Sequence, residues 1–137
     1  MKKSKGSVVI VEDDMLLSLV ETRIIEKLGY KVIGKAMSGE EAITMAKELN
    51  PDVFVMDVGL KGDLNGIEAC AQIRKFTDTP VIFLSGNSDQ HSIKSAKSVG
   101  YADYLVKPIR ADDILIPLKK AVARKNMDGD KHLSQAS

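Results

Sequence analysis

The strongest constraint on the fold comes from short apolar runs that end in acidic residues. Residues 8–11, Val-Val-Ile-Val, lead directly into three acids at residues 12–14, and residues 53–56, Val-Phe-Val-Met, lead into Asp57. Runs this short, rich in β-branched residues and without period-2 alternation, are typical of strands buried on both faces of a sheet. Each acid therefore falls at the carboxyl end of a strand, the edge where open α/β sheets build their sites.

Strand and helix patterns alternate along the chain. Three further strand candidates lie at residues 31–36, 80–85 and 102–107. Helical patterns fill the gaps and cover approximately residues 16–28, 38–50, 67–74, 92–99 and 111–124. Strands that alternate with helices of this length predict parallel pairing, right-handed crossovers and helices on both faces of the sheet. The predicted fold is a doubly wound α/β sheet of five strands.

Local signals mark several helix ends. Gly29 stands where the first helix would stop in a left-handed conformation, and Asp14 is the natural N-cap of that helix. Ser38 and Glu41 have the spacing of a capping box at the start of the second helix. Pro117 falls inside the fifth helix, where it removes one backbone hydrogen bond and favours a bend.

Composition indicates one cytoplasmic domain. The chain has 137 residues, a formal net charge of +1 and one cysteine, Cys70, for which we expect a buried position and no disulfide. Neither nucleic-acid binding nor membrane association is indicated, because the charge is balanced and no apolar stretch is long enough for a span. We expect a domain over residues 7–124 and a polar, disordered C-terminal tail over residues 125–137.

Acidic residues should meet at one edge of the sheet. Glu12, Asp13 and Asp57 follow strands predicted to be neighbours, and two such charges about 4 Å apart cost on the order of 4 kcal/mol near a surface. Mg²⁺, a hard cation with oxygen ligands, would offset that repulsion. Lys107 and Ser85 end the fifth and fourth strands on the same edge. An ammonium, a hydroxyl and a metal ion around one carboxylate predict a site for a phosphoryl group.

These residues resemble a known family, the receiver domains of two-component response regulators, of which the chemotaxis regulators are examples. The resemblance covers about residues 7–124. It rests on four motifs: Glu12-Asp13 after the first strand, Asp57 after the third, Leu84-Ser85-Gly86 at the fourth, and Tyr104-x-x-Lys107-Pro108 at the fifth. The family resemblance implies a flavodoxin-like fold with strand order 2-1-3-4-5.

The resemblance also implies a role for each acid. Asp57 would accept a phosphoryl group from a phosphohistidine of a sensor histidine kinase or a phosphotransfer protein. Asp13, Asp57 and the backbone carbonyl of Gly59 would ligate Mg²⁺, and Glu12 would act through water. The chain would be a signalling protein rather than an enzyme, apart from catalysing its own phosphorylation and dephosphorylation.

The family's switch carries over to Ser85, Tyr104 and Lys107. The hydroxyl of Ser85 would bond the phosphoryl oxygens beside Lys107, and the ring of Tyr104 would turn inward behind it. The surface of the fourth helix, fifth strand and fifth helix would then change shape. That surface would meet a downstream protein target or output domain, and it is the candidate interface for a homodimer.

Alternative functions are less consistent with the residues. A metal-dependent phosphohydrolase with Asp57 as nucleophile would need a second aspartate at Gly59, which has no proton to give. A flavin carrier of the same architecture would need a phosphate cradle after its first strand, where this chain has three acids.

The segment 57–66 is one residue longer than the commonest receiver loop. A stand-alone receiver and a receiver cut from a longer protein both remain open.

Overall fold

The fold alternates strand and helix from end to end. In the computed structural model the backbone is described for residues 3–86 and 90–136, and side chains for residues 3–86 and 94–125. The strands are β1 (Ser7–Val11), β2 (Lys31–Ala36), β3 (Val53–Asp57), β4 (Val81–Ser85) and β5 (Asp103–Val106). The helices are α1 (Met15–Lys27), α2 (Gly39–Leu49), α3 (Gly66–Ile73), α4 (Gln90–Val99) and α5 (Ala111–Ala136).

The sheet is parallel and its strand order is β2-β1-β3-β4-β5. Both the predicted fold class and the strand order implied by the family resemblance are confirmed. The order reverses direction between β1 and β3, which pair with Val11 opposite Met56. Because adjacent parallel strands end at one edge, Glu12 and Asp57 leave the sheet side by side.

Two apolar layers cover the two faces of the sheet. Alternate strand residues such as Val9, Phe54 and Phe83 pack against α2, α3 and α4, and Cys70 is fully buried in this layer. The intervening residues, including Ile10 and Leu84, pack against α1 and α5. The three central strands β1, β3 and β4 are thus buried on both faces, as their unbroken apolar runs predicted.

The first half of helix α1 turns polar side chains toward the sheet and apolar ones toward solvent. Its buried residues are Ser18, Glu21, Thr22 and Ile25. Its exposed apolar residues are Met15, Leu16, Leu19 and Val20, with relative exposures of 75, 69, 42 and 45%. In the first half of α1 the apolar side chains therefore do not mark the buried face, whereas Ile24 and Leu28 farther along pack against the core. The apolar surface it leaves lies at the end of α1 nearest the acidic edge.

The predicted caps form, with one change of partner. Asp14 accepts hydrogen bonds from the backbone N–H groups of Leu16 and Leu17, and Gly29 has a φ of +100°. The hydroxyl of Ser38 accepts from the N–H of Glu41, but the Glu41 carboxylate accepts from Met37 instead of Ser38. A complete capping box that the sequence analysis did not predict joins Asn65 and Glu68 at the start of α3.

Helix α5 contains Pro117, which is buried, and continues to Ala136. The side chains beyond residue 125 lie outside the described residues, so the predicted domain boundary and disordered tail stay predictions. Among the described residues, no helix combines the length and apolar character that crossing a bilayer requires.

Candidate functional site

Four of the predicted site residues meet at the carboxyl edge of the sheet. Glu12 follows β1, Asp57 ends β3 and Ser85 ends β4, with relative exposures of 1, 5 and 5%. Lys107 follows β5 and donates its backbone N–H to the carbonyl of Ser85 at 2.7 Å. The site is assembled by the strand order, since β3 lies between β1 and β4 in the sheet.

Lys107 bridges the two buried acids. Its Nζ lies 3.1 Å from Oε1 of Glu12 and 3.2 Å from Oδ2 of Asp57. Burial by itself would lower the pKa of Lys107, but the charges of Asp57 and Glu12 outweigh it and hold that pKa above its usual value. The lysine therefore stays protonated and supplies the countercharge that the sequence predicted.

Glu12 is held by protein contacts at both of its oxygens. Oε1 accepts from Lys107, and Oε2 accepts the backbone N–H of Asp14 at 3.2 Å. Burial, and then the charge of Asp57, raise the pKa of Glu12 despite these contacts. A cation that approached both carboxylates would offset part of the burial and charge repulsion that raise this pKa.

The acids offer oxygen atoms close enough to share one metal ion. Glu12, Asp13 and Asp57 each present a carboxylate oxygen, and these atoms lie within 4.8 Å of one another. Asp13 Oδ2 also accepts the backbone N–H of Lys61 at 3.0 Å, which links the first loop to the loop after β3. An all-oxygen set of three carboxylates fits a hard divalent cation such as Mg²⁺ better than a soft one.

The loop that follows Asp57 is fixed to it at both ends. The N–H of Gly59 donates to Oδ1 of Asp57 at 2.9 Å, and the N–H of Gly66 donates to the carbonyl of Val58 at 3.0 Å. A Cβ at Gly66 would collide with the backbone carbonyl of Asp57. The long loop therefore begins and ends against the same aspartate, which holds the carboxylate in place.

Glu21 is a buried acid that the sequence analysis missed. It lies on α1 with 3% exposure, and within the described part of the chain its Oε1 has no hydrogen-bond partner. Burial, and then the neighbouring Glu12, raise its pKa to about 8. Glu21 lies three residues after Ser18 and four before Ile25, so the three side chains share one face of α1. This spacing was the signal that could have placed Glu21 on the inner face.

The hydroxyl of Ser85 and the ring of Tyr104, the two predicted switch groups, lie on β4 and β5. Ser85 ends β4 one residue beyond Leu84, which is paired with Asp57 on the neighbouring strand. Tyr104 lies opposite Phe83, and the two ring centroids are 6.3 Å apart. The hydroxyl of Tyr104 is buried and finds no hydrogen-bond partner in the described residues. Tyr104 thus packs beneath α4 and not against the acids.

Comparison with known proteins identifies the family. The family described as "Response regulator receiver domain" matches residues 8–119. This chain belongs to the response regulator receiver family. Because the match runs from β1 through the acidic edge and into the first third of α5, the receiver resemblance of the sequence is confirmed.

Similar proteins include receivers of different overall length. The chain is 35% identical over 119 residues to the transcriptional regulatory protein YvrH of Bacillus subtilis, covering 87% of this chain and 50% of YvrH. It is 34% identical over 114 residues to the chemotaxis protein CheY of Thermotoga maritima, covering 82% of this chain and 94% of CheY. The chain therefore spans half of YvrH and nearly all of this CheY.

A solved structure agrees with the fold. The signal receiver domain of a modulated diguanylate cyclase from Desulfovibrio desulfuricans superposes with a TM-score of 0.83 at 34% identity. The superposition covers 90% of this chain and 98% of that one. The likeness extends over nearly the whole of a receiver of known structure.

Proposed function

We propose that this receiver accepts a phosphoryl group on Asp57 from a sensor histidine kinase or a phosphotransfer protein. The observation that carries the proposal is the position of Asp57 in the site. It is the acid that ends a central strand, contacts Lys107 at 3.2 Å and pairs with Leu84, the residue before Ser85. Asp13 and Asp14 lie in the exposed first loop, and Glu12 is already held at both oxygens.

The transfer exchanges one bond to phosphorus for another. A carboxylate oxygen of Asp57 forms a bond to phosphorus while the phosphorus–nitrogen bond of the phosphohistidine breaks. The imidazole leaves with the electron pair and takes up a proton. Lys107 is placed to meet the charge on the phosphoryl oxygens, and the hydroxyl of Ser85 to donate a hydrogen bond to them.

Magnesium is the proposed cofactor. Asp13, Asp57 and the backbone carbonyl of Gly59 would bind the ion directly, and Glu12 would bind one of its waters. When bound, Mg²⁺ neutralises charge on the phosphoryl oxygens during transfer. The shared reach of the three carboxylates and the raised pKa of Glu12 support this assignment.

The exposed apolar face of α1 is the proposed binding surface for the phosphodonor protein. The face comprises Met15, Leu16, Leu19 and Val20, and it begins directly after the acidic loop. A donor helix that covered this face would bring its phosphohistidine to the same edge of the sheet as Asp57. Leu16→Glu should then slow transfer from a phosphorylated phosphotransfer protein but leave phosphorylation by acetyl phosphate unchanged.

Output is proposed to follow from Ser85 and Tyr104. Movement of Ser85 toward the phosphoryl group would leave room behind it for the ring of Tyr104. The surface of α4, β5 and α5 would change in consequence and meet a downstream target, an output domain or a second copy of the chain. This is a two-state element biased by a new charge.

The central test is phosphorylation by a small donor. The protein is incubated with acetyl phosphate and Mg²⁺, and a hydroxylamine-labile mass increase of one phosphoryl group is sought by peptide mapping. Label should fall on the peptide containing Asp57 and disappear in Asp57→Asn. Label that persists in Asp57→Asn at the wild-type level would remove Asp57 from the role.

A further inference from the structure

Three aromatic rings form a compact cluster beneath α4. Phe83, Tyr101 and Tyr104 are in pairwise contact, with ring centroids 6.0 Å apart for Phe83 and Tyr101, 6.3 Å for Phe83 and Tyr104, and 5.9 Å for Tyr101 and Tyr104. The rings are tilted by 58 to 63° to one another, the edge-to-face arrangement that aromatic pairs favour. Tyr104 therefore packs against two rings at once.

Ring contacts hold Tyr104 in this position. Its hydroxyl is buried, and among the described residues nothing accepts or donates a hydrogen bond to it. Among the described residues, ring contacts with Phe83 and Tyr101 therefore set the orientation of this side chain. Phe83 is a fully buried residue of β4 and serves the core as well. Tyr101 is the contact whose role is otherwise unassigned.

The backbone on both sides of Tyr101 is anchored. The carbonyl of Gly100 accepts from the guanidinium of Arg74 at 3.0 Å, and the N–H of Ala102 donates to the carbonyl of Val81 at 2.8 Å. Arg74 reaches across from the end of α3, so the turn between α4 and β5 is tied to a helix outside the proposed signalling surface. Tyr101 is thus a fixed support against which Tyr104 packs.

We propose that Tyr101 is a positioning residue for the switch, whose ring stabilises the inner position of Tyr104 and so favours the arrangement that holds a phosphoryl group on Asp57. The inference rests on the proposed function, in which the inner position of Tyr104 accompanies phosphorylation. By linkage, a contact that stabilises the inner ring raises the fraction of molecules competent to bind a phosphoryl mimic, and it lowers the apparent Kd by up to the same factor.

The test uses the full chain labelled with 3-fluorotyrosine. The chain contains three tyrosines, Tyr30, Tyr101 and Tyr104. Fluorine NMR of Tyr101→Leu is compared with that of Tyr101→Phe, which keeps the ring, and of Tyr30→Phe, whose tyrosine packs on the opposite face of the sheet. Beryllofluoride with Mg²⁺ is titrated into each protein. Thermal melts identify variants that have lost their cooperative fold. If Tyr101→Leu does not unfold cooperatively, Tyr101→Met is used in its place.

Tyr101→Leu should move the Tyr104 resonance toward that of free fluorotyrosine and weaken apparent beryllofluoride affinity by about twofold to tenfold, the worth of an aromatic pair. Tyr101→Phe and Tyr30→Phe should keep the wild-type affinity. An unmoved Tyr104 resonance with unchanged affinity in Tyr101→Leu would overturn the inference. If no protein binds beryllofluoride, the proposed function fails, and the Tyr104 resonance in Tyr101→Leu still decides whether Tyr101 positions it.

Discussion

The ammonium of Lys107 lies 3.2 Å from Oδ2 of Asp57, the oxygen that does not bond the Gly59 N–H. The same ammonium contacts Glu12 at 3.1 Å, so one lysine offsets two buried acids. A lysine in this position competes with any metal ion for the same carboxylates. It would also be the first cation that an incoming phosphoryl group meets.

Lys107→Met should therefore separate stability from metal binding. Without metal, the free energy of unfolding should fall by roughly 1 to 3 kcal/mol, because two buried carboxylates lose their shared partner while water still screens part of the charge. Mg²⁺ should then stabilise the variant more than it stabilises the wild type. Thermal melts in EDTA and in Mg²⁺ measure both effects, with Lys107→Arg as the charge-keeping control. Equal stabilisation by Mg²⁺ in all three proteins would contradict the competition.

Glu21 makes stability depend on pH. Its pKa is about 8 in the folded protein against an ordinary value of 4.5, so between these values the folded chain keeps a proton that the unfolded chain has lost. The folded state binds more protons, so stability falls as pH rises from about 4.5 to about 8 and then levels off.

Glu21→Gln should remove that dependence. The variant should gain about 1 to 3 kcal/mol relative to wild type at pH 8 and almost nothing at pH 4.5. Urea unfolding across this pH range measures the difference. Glu26→Gln, an exposed position on the same helix, is the matched control and should follow the wild-type profile. A gain for Glu21→Gln that is equal at both pH values would show that charge at Glu21 is not its cause.

The strand edge was predictable from the sequence because buried parallel strands leave a clear signature. Unbroken apolar runs placed Glu12 and Asp57 at the carboxyl ends of their strands. Right-handed crossovers are general for parallel strands, so they could be predicted without knowing any tertiary contact. The inner face of α1 was not predictable in the same way. Apolar residues in this segment indicate a helix and suggest that they form its buried face. The structure instead buries Glu21 and exposes Leu16. Periodicity reports that a helix forms, but tertiary contacts decide which face it buries.

Asp13 and Asp14 are adjacent in sequence but have different contacts. Asp13 reaches the loop after β3 through the Lys61 N–H, whereas Asp14 caps α1 through the N–H groups of Leu16 and Leu17. If Asp13 binds the ion directly, as proposed, Asp13→Asn should weaken Mg²⁺ affinity about tenfold or more, because the ligand loses its charge. Asp14→Asn should leave it nearly unchanged, because asparagine also caps helices well. Isothermal titration compares them, and equal affinities would remove Asp13 from the metal shell.

Gly66 packs too closely against Asp57 to accept a side chain. A Cβ there would collide with the Asp57 carbonyl, so Gly66→Ala must shift the loop or the end of β3. The variant should lose about 1 to 3 kcal/mol of stability and accept phosphoryl groups more slowly, since the carboxylate moves with its backbone. Gly86→Ala is the control for stability, because a Cβ at Gly86 meets none of the described residues within 4 Å. Matching melting temperatures for the two variants would refute the close contact.

The surface that responds to phosphorylation should lie on one side of the sheet. A phosphoryl group adds up to about two negative charges at Asp57. Of the groups proposed to meet it, Ser85 ends β4 and Lys107 follows β5, the two strands that α4 connects. Backbone amides of α4, β5 and the first half of α5 should therefore change most when beryllofluoride and Mg²⁺ are added. Helix α2 packs against the opposite edge, on β2, and should change least. Amide hydrogen exchange of the full chain with and without the mimic measures this, with Asp57→Asn as the control that should show no change. Changes confined to α2, with α4 and β5 silent, would show that this receiver signals through another face.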